Sequence, residues 1–268
     1  MAQFGADFGG SMPEYYDRFL GPAQFDAFGE DIAARLPTQP PGAVLEVACG
    51  TGRVSAKLRA RLASAVRLVA TDLSGEMLAY ARSRVPGDIE WKVADAAALP
   101  FDSGRFAAVV CSFGIMFVPD KHRAFSEMRR VLRKGGALLF NVWDRIERNV
   151  HARTMSEVTE GLFPGDADMQ AGRTPFLFND RGLIGSMLKD AGFGEVRSHD
   201  VAITVSAPSA REFATGSLRG TPRYLQLEKR GVDVEQVIEK AALALARVGG
   251  ERPFKVPGHA IVFEAQAA

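Results

Sequence analysis

The sequence predicts an α/β protein with a mostly parallel sheet and helices on both of its faces. Apolar strand-like runs alternate with amphipathic helical patterns through the first half of the 268-residue chain. The run Ala43–Val47 breaks at once into a turn with two glycines, and a helical pattern starts at Arg53. The run Phe106–Ser112 is apolar in the way of a central parallel strand, whose two faces are both buried. Such βαβ alternation indicates a parallel sheet.

The strand patterns define the order of the sheet elements. They cover, in chain order, Ala43–Val47, Val66–Thr71, Ile89–Ala94, Phe106–Ser112, Ala137–Val142, Glu195–Val205 and Ala260–Ala265. Ser74 is expected to cap the helix that follows the second strand. The helix after the fourth strand has an apolar period near 3.6 and is expected to end at Gly135 and Gly136. Its apolar positions are Ala124, Phe125, Met128, Val131 and Leu132.

The second half of the chain is less regular. We expect a helix over Asn149–Leu162, a loop rich in Gly, Pro and Asp up to Asn179, and a helix over Asp180–Ala191 that stops at Gly192. A short helix near Pro208–Thr215 and a longer one from Asp233 follow. We expect one domain over residues 1–268, with N-terminal cap helices over 1–40, a cofactor-binding core over 41–145, and substrate-cap insertions over 146–180 and 207–250.

Composition and charge exclude several classes of protein. The formal net charge of +1 gives no overall field that would attract nucleic acid or an anionic membrane. No apolar run reaches transmembrane length, and residues 1–10 lack the basic and apolar regions of a signal peptide. The only two cysteines, Cys49 and Cys111, fall in apolar strand-end contexts that imply no disulfide, and the chain lacks the Cys and His spacing of a metal site. We therefore expect a cytoplasmic protein without a bound metal.

Three acidic residues and the glycine turn indicate a ligand at the carboxyl edge of the sheet. A strand, a glycine turn and a helix N-terminus place backbone N–H groups beside a ligand. Asp72 ends the second strand, twenty positions after Gly52, where a carboxylate can accept hydrogen bonds from both ribose hydroxyls or cap the next helix. Asp95 follows the third strand and can accept from an adenine amine, with the Ala96 N–H donating, or can be a solvated loop acid.

The charges of this region distinguish two nucleotide-like ligands. A dinucleotide fingerprint would place a third glycine where this chain has Ser55. Glu46, Asp72 and Asp95 face Arg53 alone, and three carboxylates repel a pyrophosphate. A cationic sulfonium with an ammonium group suits this acidic rim better.

These residues resemble class I S-adenosylmethionine-dependent methyltransferases. The resemblance rests on 46–52 (EVACGTG), Asp72 and Asp95, with Ala48 where the family usually has glycine. The runs 112–121 (SFGIMFVPDK) and 130–136 (RVLRKGG) are similar to the ubiquinone/menaquinone-biosynthesis branch, and 15–19 (YYDRF) is similar to the N-terminal segment of the superfamily. The match covers about Val44 to Val142.

The resemblance implies a Rossmann-like seven-stranded sheet with its last strand reversed, and S-adenosylmethionine as cofactor with S-adenosylhomocysteine as product. It implies that the Glu46 carboxylate and the loop backbone face the methionine part, that Asp72 holds the ribose, and that the adenine lies near the second and third strands. The implied cofactor-binding residues are Glu46, Ala48, Cys49, Gly50, Thr51, Gly52, Asp72, Leu73, Met77, Asp95, Ala96, Ser112 and Phe113.

The expected reaction is methyl transfer to a small, apolar or aromatic metabolite, and the strand-four motif makes C-methylation of a quinone precursor one specific expectation. An NAD-dependent oxidoreductase and a non-catalytic S-adenosylmethionine-binding protein stay open as alternatives. Trp143 is expected to form a pocket wall. The apolar residues expected to line the acceptor pocket are Phe163, Phe176, Leu177, Phe178, Phe213 and Leu218.

The sequence names no catalytic group, because an activated methyl group requires a base only when the acceptor must lose a proton. Tyr15 and Tyr16 are candidates for bonding an acceptor, although we favour aromatic packing in a lid helix. His151 is a candidate base, although we favour a surface histidine. The basic residues Arg129, Arg130, Arg133 and Lys134 indicate a solvated helix face and not a nucleic-acid track.

Overall fold

The computed structural model describes residues 10–268, in which seven strands form one sheet. The strands are β1 (Ala43–Val47), β2 (Leu68–Asp72), β3 (Glu90–Val93), β4 (Phe106–Ser112), β5 (Leu132–Trp143), β6 (Phe193–Ala207) and β7 (Phe254–Ala267). Their spatial order is β3-β2-β1-β4-β5-β7-β6. The pairs among β1 to β5 are parallel, whereas β7 runs antiparallel to both β5 and β6. This confirms the predicted Rossmann-like sheet with its last strand reversed.

Helices connect the strands and cover the sheet. They are α1 (Met12–Tyr15), α2 (Asp26–Ala34), α3 (Arg53–Arg61), α4 (Gly75–Arg84), α5 (Lys121–Val131), α6 (Val150–Leu162), α7 (Ala167–Gln170), α8 (Arg181–Asp190), α9 (Ala210–Arg219), α10 (Arg223–Glu228) and α11 (Val234–Gly249). A π-helical segment, Tyr16–Phe25, joins α1 to α2. The 3₁₀ turns are Ile115–Phe117, Ile146–Arg148 and Ala171–Phe176.

Several helix starts follow directly from the residue at the cap. The Ser74 hydroxyl accepts a hydrogen bond from the Met77 N–H at 3.2 Å, which confirms its predicted role. The Asp180 carboxylate caps α8 in the same way. Asp233 caps α11 by accepting from the Glu235 N–H at 3.0 Å. The chain therefore enters these helices where a short polar side chain can satisfy an exposed N–H group.

The central strands β1, β2 and β4 are buried on both faces because their side chains alternate between two cores. Along β1, Val44 packs in the cluster that contains Leu58 of α3, whereas Leu45 packs in the cluster that contains Phe125 of α5. A third cluster lies among the helices of the second half. It joins Leu20, Phe213 of α9, Leu245 of α11 and residues of β6 and β7. This helical layer lies over the carboxyl ends of the central strands.

One predicted helix end is wrong. The helix after β4 ends at Val131, and Gly135 and Gly136 lie inside β5. Phe106 pairs with Leu132 but Ala108 pairs with Ala137, so β5 bulges between these residues. Gly135 has a φ of +71° at the bulge. The glycines therefore allow an irregular strand instead of stopping the helix.

The segment after α6 is more helical than predicted. The stretch predicted as a loop contains α7 and the 3₁₀ turn Ala171–Phe176, and α10 was not predicted at all. These elements are too short to show a clear hydrophobic period.

Among residues 10–268, none of the helices is both long enough and apolar enough to cross a bilayer. Residues 1–9, most of the segment inspected for a signal peptide, lie outside the described residues. The division into core and insertions stays a prediction.

Candidate functional site

The carboxyl ends of β1, β2 and β4 meet at a cavity of about 1140 Å³, here called the cofactor cavity. The loop after β1 crosses its floor, and the segments after β2, β3 and β4 form its sides. Among its lining residues are Ala48, Cys49, Gly50, Thr51, Asp72, Leu73, Met77, Asp95, Ala96, Ser112 and Phe113. The structure therefore brings together the residues singled out for cofactor binding, with the exceptions of Glu46 and Gly52.

The loop after β1 has an unusual backbone. Ala48, Gly50 and Gly52 have φ values of +57°, +56° and +80°. A Cβ on Gly52 would lie 2.8 Å from Val85 and 3.0 Å from Ala81, whereas one on Gly50 would meet no atom within 4 Å. Gly52 is thus needed for packing, and Gly50 borders open space where a ligand can approach the backbone.

Asp72 accepts two backbone hydrogen bonds at the edge of the cofactor cavity, and its role in binding ribose stays a prediction. Its Oδ2 accepts from the Gly50 N–H at 2.8 Å, and its Oδ1 accepts from the Ser74 N–H at 2.9 Å. Burial raises the pKa of this carboxyl, while these two backbone donors act in the opposite direction. Asp72 therefore fixes the glycine loop to the end of β2 and also lines the cavity.

Asp95 is ordered by a local turn. Its Oδ1 accepts from the Ala97 N–H at 2.8 Å, which orients the segment that carries Ala96 into the cavity wall. Leu73, with 37% of its surface exposed, and the buried Met77 lie on the same side of the cavity. These residues form an apolar slot with a carboxylate at its edge, which fits a purine ring.

Glu46 does not line the cofactor cavity. Its side chain is 1% exposed, and burial raises its pKa to about 8. Its Oε2 has no hydrogen-bond partner in the part of the chain that the structure describes. A buried polar atom without a partner is uncommon and costs free energy, so this carboxyl is suited to accept from a donor that arrives with a ligand.

Arg53 lies at the edge of the cofactor cavity, but carboxylates neutralise it. Its Nε donates to Asp17 Oδ1 at 2.8 Å and its Nη1 donates to Asp26 Oδ2 at 2.8 Å. This ion-pair network ties the N-terminal helical segment to α3. The cavity therefore keeps the acidic character of Asp72 and Asp95, which disfavours a pyrophosphate and favours a cationic ligand.

A second cavity of about 1090 Å³, here called the acceptor cavity, adjoins the first. Tyr16, Phe25, Phe113 and Phe117 line both cavities. Trp143 lines the acceptor cavity, as predicted, and its ring stacks on Phe113 with centroids 4.2 Å apart. The other walls come from α6, the 3₁₀ turn Ala171–Phe176, α9 and α10. A common aromatic wall thus lies between a site at the sheet edge that contains Asp72 and Asp95 and a largely apolar site beneath the helices.

The structure separates the three catalytic candidates. Tyr16 lines both cavities, and burial raises the pKa of its phenol. Tyr15 is not among the lining residues of either cavity, and its ring stacks on Phe19 at 5.9 Å. His151 is buried at 3% exposure, so the expectation of a surface histidine is wrong.

His151 lies in an apolar environment. Its ring packs edge-on against Trp143 and Phe213, with centroids 6.0 and 5.6 Å apart. Burial lowers its pKa to about 3, and its Nδ1 has no hydrogen-bond partner. The imidazole is therefore neutral at physiological pH and is a weak base, although it lines the acceptor cavity.

Only part of the predicted apolar lining is confirmed. Phe176 and Phe213 line the acceptor cavity. Phe178 and Leu218 are buried in cores, and Leu177 is 76% exposed.

Arg130 and Arg133, two of the basic residues between positions 129 and 134, have structural partners. Arg130 donates to Glu127 and to the carbonyls of Leu99 and Phe101, and Arg133 donates to the Pro41 carbonyl at 2.6 Å.

The fold and the site define a class I S-adenosylmethionine-dependent methyltransferase. Residues 44–136 match the family model of the methyltransferase domain. A ubiquinone/menaquinone biosynthesis C-methyltransferase of Klebsiella pneumoniae (strain 342) is 28% identical over 178 residues, which are 61% of this chain and 71% of that protein. A counterpart from Geobacter sp. (strain M21) is 29% identical over 173 residues, which are 60% of this chain and 74% of that protein. The chain is a methyltransferase related to this branch.

Solved structures show the same fold at low identity. Phosphoethanolamine N-methyltransferase 2 of Haemonchus contortus, in complex with S-adenosylmethionine, has a TM-score of 0.61 at 16% identity over 95% of this chain and 56% of that one. The [4+2]-cyclase SpnF has a TM-score of 0.58 at 19% identity over 91% of this chain and 81% of that one. Because proteins with different activities share this architecture, the acceptor has to be inferred from this chain's own residues.

Proposed function

We propose that this enzyme transfers a methyl group from S-adenosylmethionine in the cofactor cavity to a small apolar or aromatic molecule in the acceptor cavity. The observation that carries the proposal is the aromatic wall of Tyr16, Phe25, Phe113 and Phe117 that the two cavities share. A methyl donor on one side of this wall and an apolar acceptor on the other would meet at its edge.

The residues of the cofactor cavity fit the donor group by group. Asp72 would accept from the ribose hydroxyls while it holds Gly50. Leu73 and Met77 would flank the adenine, with Asp95 and Ala96 at its edge. The loop 48–52 would hold the methionine part, and the unpartnered oxygen of Glu46 would accept from a donor there. Ser112 and Phe113 would border the methyl group.

The donor supplies a methyl group that is already activated on a positively charged sulfur. The protein has to align the acceptor and exclude water. Holding two reactants in line can lower a barrier by about 7–11 kcal/mol in favourable cases. The stacked pair of Phe113 and Trp143 provides a rigid apolar surface for this purpose. Catalysis would therefore rest on orientation and desolvation.

Among residues 10–268, none of the side chains that line the acceptor cavity is suited to be a strong base. His151 has a pKa of about 3 and cannot hold a proton near neutral pH. The raised pKa of Tyr16 keeps its phenol protonated, so it serves as a donor or as part of the wall. The site therefore suits an acceptor whose nucleophilic atom is already reactive, or whose proton leaves to water.

The acceptor's identity does not transfer from the relatives. Residues that line the acceptor cavity between His151 and Gln226 lie beyond the segment that matches the family model. Quinone-precursor C-methylation is one reaction to include among those tested, because the related enzymes from Klebsiella and Geobacter carry that name. The cavity's apolar lining supports small-molecule acceptors in general.

Two matched substitutions test the division between the cavities. Ala96→Phe places a phenyl ring in the cofactor cavity, and Ala152→Phe places the same ring in the acceptor cavity. We expect Ala96→Phe to abolish S-adenosylmethionine binding in calorimetry. We expect Ala152→Phe to leave that affinity within about twofold and to abolish methyl transfer from labelled donor to a panel of aromatic and aliphatic acceptors.

The same experiment can contradict the proposal. Wild-type protein that labels no acceptor in the panel or in a broad metabolite extract would count against methyl transfer to a small molecule. Ala152→Phe with full turnover would remove the acceptor cavity from the mechanism. Thermal melting of both variants checks that each one is folded.

The cellular location is also a proposal. Cys49 and Cys111 are both free and buried, which supports a reducing compartment such as the cytoplasm.

A further inference from the structure

Arg223 places a positive charge at the wall of the acceptor cavity without a partner of its own. It is the first residue of α10, directly after Thr221 and Pro222, and it is part-buried and lines the cavity. Within residues 10–268, no carboxylate lies within 4.0 Å of its guanidinium. Arg53 at the edge of the cofactor cavity is, by contrast, bound by two carboxylates.

The acidic residue that acts on the charge of Arg223, Glu160, is already paired. Glu160 accepts from Arg173 through both of its oxygens, at 2.6 and 3.0 Å. Burial lowers the pKa of Arg223 to about 10, Glu160 acts in the opposite direction, and the charge of Arg173 adds to the decrease. Arg223 thus stays charged at neutral pH. An unpaired charge at a partly buried site costs free energy, which a ligand of opposite charge would recover.

The backbone makes room for this guanidinium. A Cβ on Gly172, in the 3₁₀ turn Ala171–Phe176, would lie 1.6 Å from Nη2 of Arg223. The side chain therefore packs directly against a glycine, and a larger residue there would displace it. Both residues line the acceptor cavity.

The acceptor cavity is lined by polar side chains from the stretch of chain that carries Arg223 and by aromatic side chains from other elements. Ser217, Thr221 and Gln226 line it from the same stretch of chain as Arg223. The aromatic lining comes from other elements, among them Phe25, Phe113, Trp143 and Phe176. A ligand that matches both parts has an apolar body and one charged end.

We propose that the methyl acceptor is an amphiphilic anion, with an apolar or aromatic body and a carboxylate or phosphate group that Arg223 binds. This inference rests on the proposed function and names its substrate class. The planar guanidinium suits both groups, because each offers two oxygens to its parallel N–H donors. Aromatic side chains would hold the body of the acceptor near Tyr16 and Phe113, at the edge of the cofactor cavity.

The test compares probes that differ only in their charged end. In the presence of S-adenosylhomocysteine, 4-phenylbutyrate, its methyl ester and phenethyl phosphate are titrated into wild-type protein, Arg223→Gln and Arg223→Lys. We expect at least one anionic probe to bind wild type about tenfold or more tightly than the ester. Arg223→Gln should remove that preference and Arg223→Lys should restore part of it. The tighter anion identifies carboxylate or phosphate as the group recognised.

A second variant displaces the guanidinium without removing it. Gly172→Ala should weaken the preferred anion in the same direction as Arg223→Gln, with the affinity for the ester unchanged. Equal binding of acid, phosphate and ester, no binding of either anion, or an anion affinity unchanged in Arg223→Gln would overturn the inference.

The two proposals fail in different ways. Methylation of neutral acceptors at a rate that Arg223→Gln leaves unchanged would overturn the anionic acceptor alone. Binding of anions that depends on Arg223, without methyl transfer to any acceptor, would overturn the proposed function. Binding of S-adenosylhomocysteine, measured in the same titrations, shows that each variant keeps its cofactor cavity intact.

Discussion

The two cavities of this molecule are built by different means. The cofactor cavity is made largely from strand ends and backbone groups of residues 47–119, apart from Tyr16 and Phe25. The acceptor cavity is made mainly from the N-terminal helical segment, α6, a 3₁₀ turn, α9 and α10, together with Phe113, Phe117 and Trp143 from the sheet edge. In the cofactor cavity, polar groups such as Asp72 are fixed by hydrogen bonds. In the acceptor cavity, the side chains are fixed mainly by contacts between aromatic rings.

This difference shows where specificity can change. Backbone N–H groups and a carboxylate at the end of β2 serve one cofactor and tolerate little variation. Side chains on separate helices can be replaced one by one while the sheet stays intact. The cofactor is therefore a property of the sheet edge, and the acceptor is a property of the helical layer.

The largest predicted effect is on the stability of the glycine loop after β1. Substitutions of Gly52 and Gly50 should separate the role of this loop in packing from its role in ligand binding. Gly52→Ala combines a left-handed backbone with close contacts to Ala81 and Val85, so we expect a loss of about 2–5 kcal/mol in the free energy of unfolding. Gly50→Ala meets no neighbour and should cost only about 1–2 kcal/mol. Its methyl group should instead weaken S-adenosylmethionine binding. Urea unfolding and calorimetry measure the two quantities, and equal losses of stability would contradict the assignment.

The second prediction concerns the contribution of Asp72 to ligand affinity. Asp72→Ala should weaken S-adenosylhomocysteine binding by about 1–3 kcal/mol, or roughly 5- to 150-fold, because a charged hydrogen-bond partner is lost. An analogue without the two ribose hydroxyls serves as the control and should bind wild type and variant nearly equally. If both ligands weaken by the same factor, Asp72 acts by holding the loop through Gly50 and Ser74.

A third prediction tests the acceptor side through pH. The pKa of His151 is about 3 in the folded protein and near 6.5 when unfolded. Between these values only the unfolded chain binds the proton, so the stability from this residue is complete above pH 6.5 and falls as the pH decreases. The expected slope is about 1.4 kcal/mol per pH unit.

A variant pair isolates this contribution. His151→Phe should flatten the dependence of the unfolding free energy on pH between 6 and 4, measured by urea titration. His122→Phe, at an exposed position, is the matched control for replacing a histidine by phenylalanine. Parallel curves for wild type and His151→Phe would show that the buried histidine is not responsible.

The sequence predicted the cofactor side well because its signals are local. Strand β1, the start of α3 and strand β4 fall where the apolar runs and glycines place them. The lining role of Asp72 and Asp95 followed from their positions at strand ends. Glu46 shows the limit of this reasoning. Spacing places it near the end of a strand but does not reveal that its side chain is 1% exposed and is not among the lining residues of the cofactor cavity.

The acceptor side could not be predicted because its residues meet only in the folded chain. Arg223 and Gly172 are about fifty positions apart and carry no motif. His151 was expected at the surface, yet Trp143 and Phe213 enclose it. The missed helix α10 carries Arg223, so its charge could not be placed in a cavity from sequence alone. The only signal was a basic residue after a proline, which occurs in many solvated turns.

The most direct test of the two-cavity account is a crystal structure with S-adenosylhomocysteine bound. The account predicts the ribose at Asp72, the adenine between Leu73, Met77 and Ala96, and the sulfur facing the aromatic wall of Tyr16 and Phe113, with the acceptor cavity open behind it. A ligand that occupies the space near Arg223, or a sulfur directed away from that wall, would contradict it.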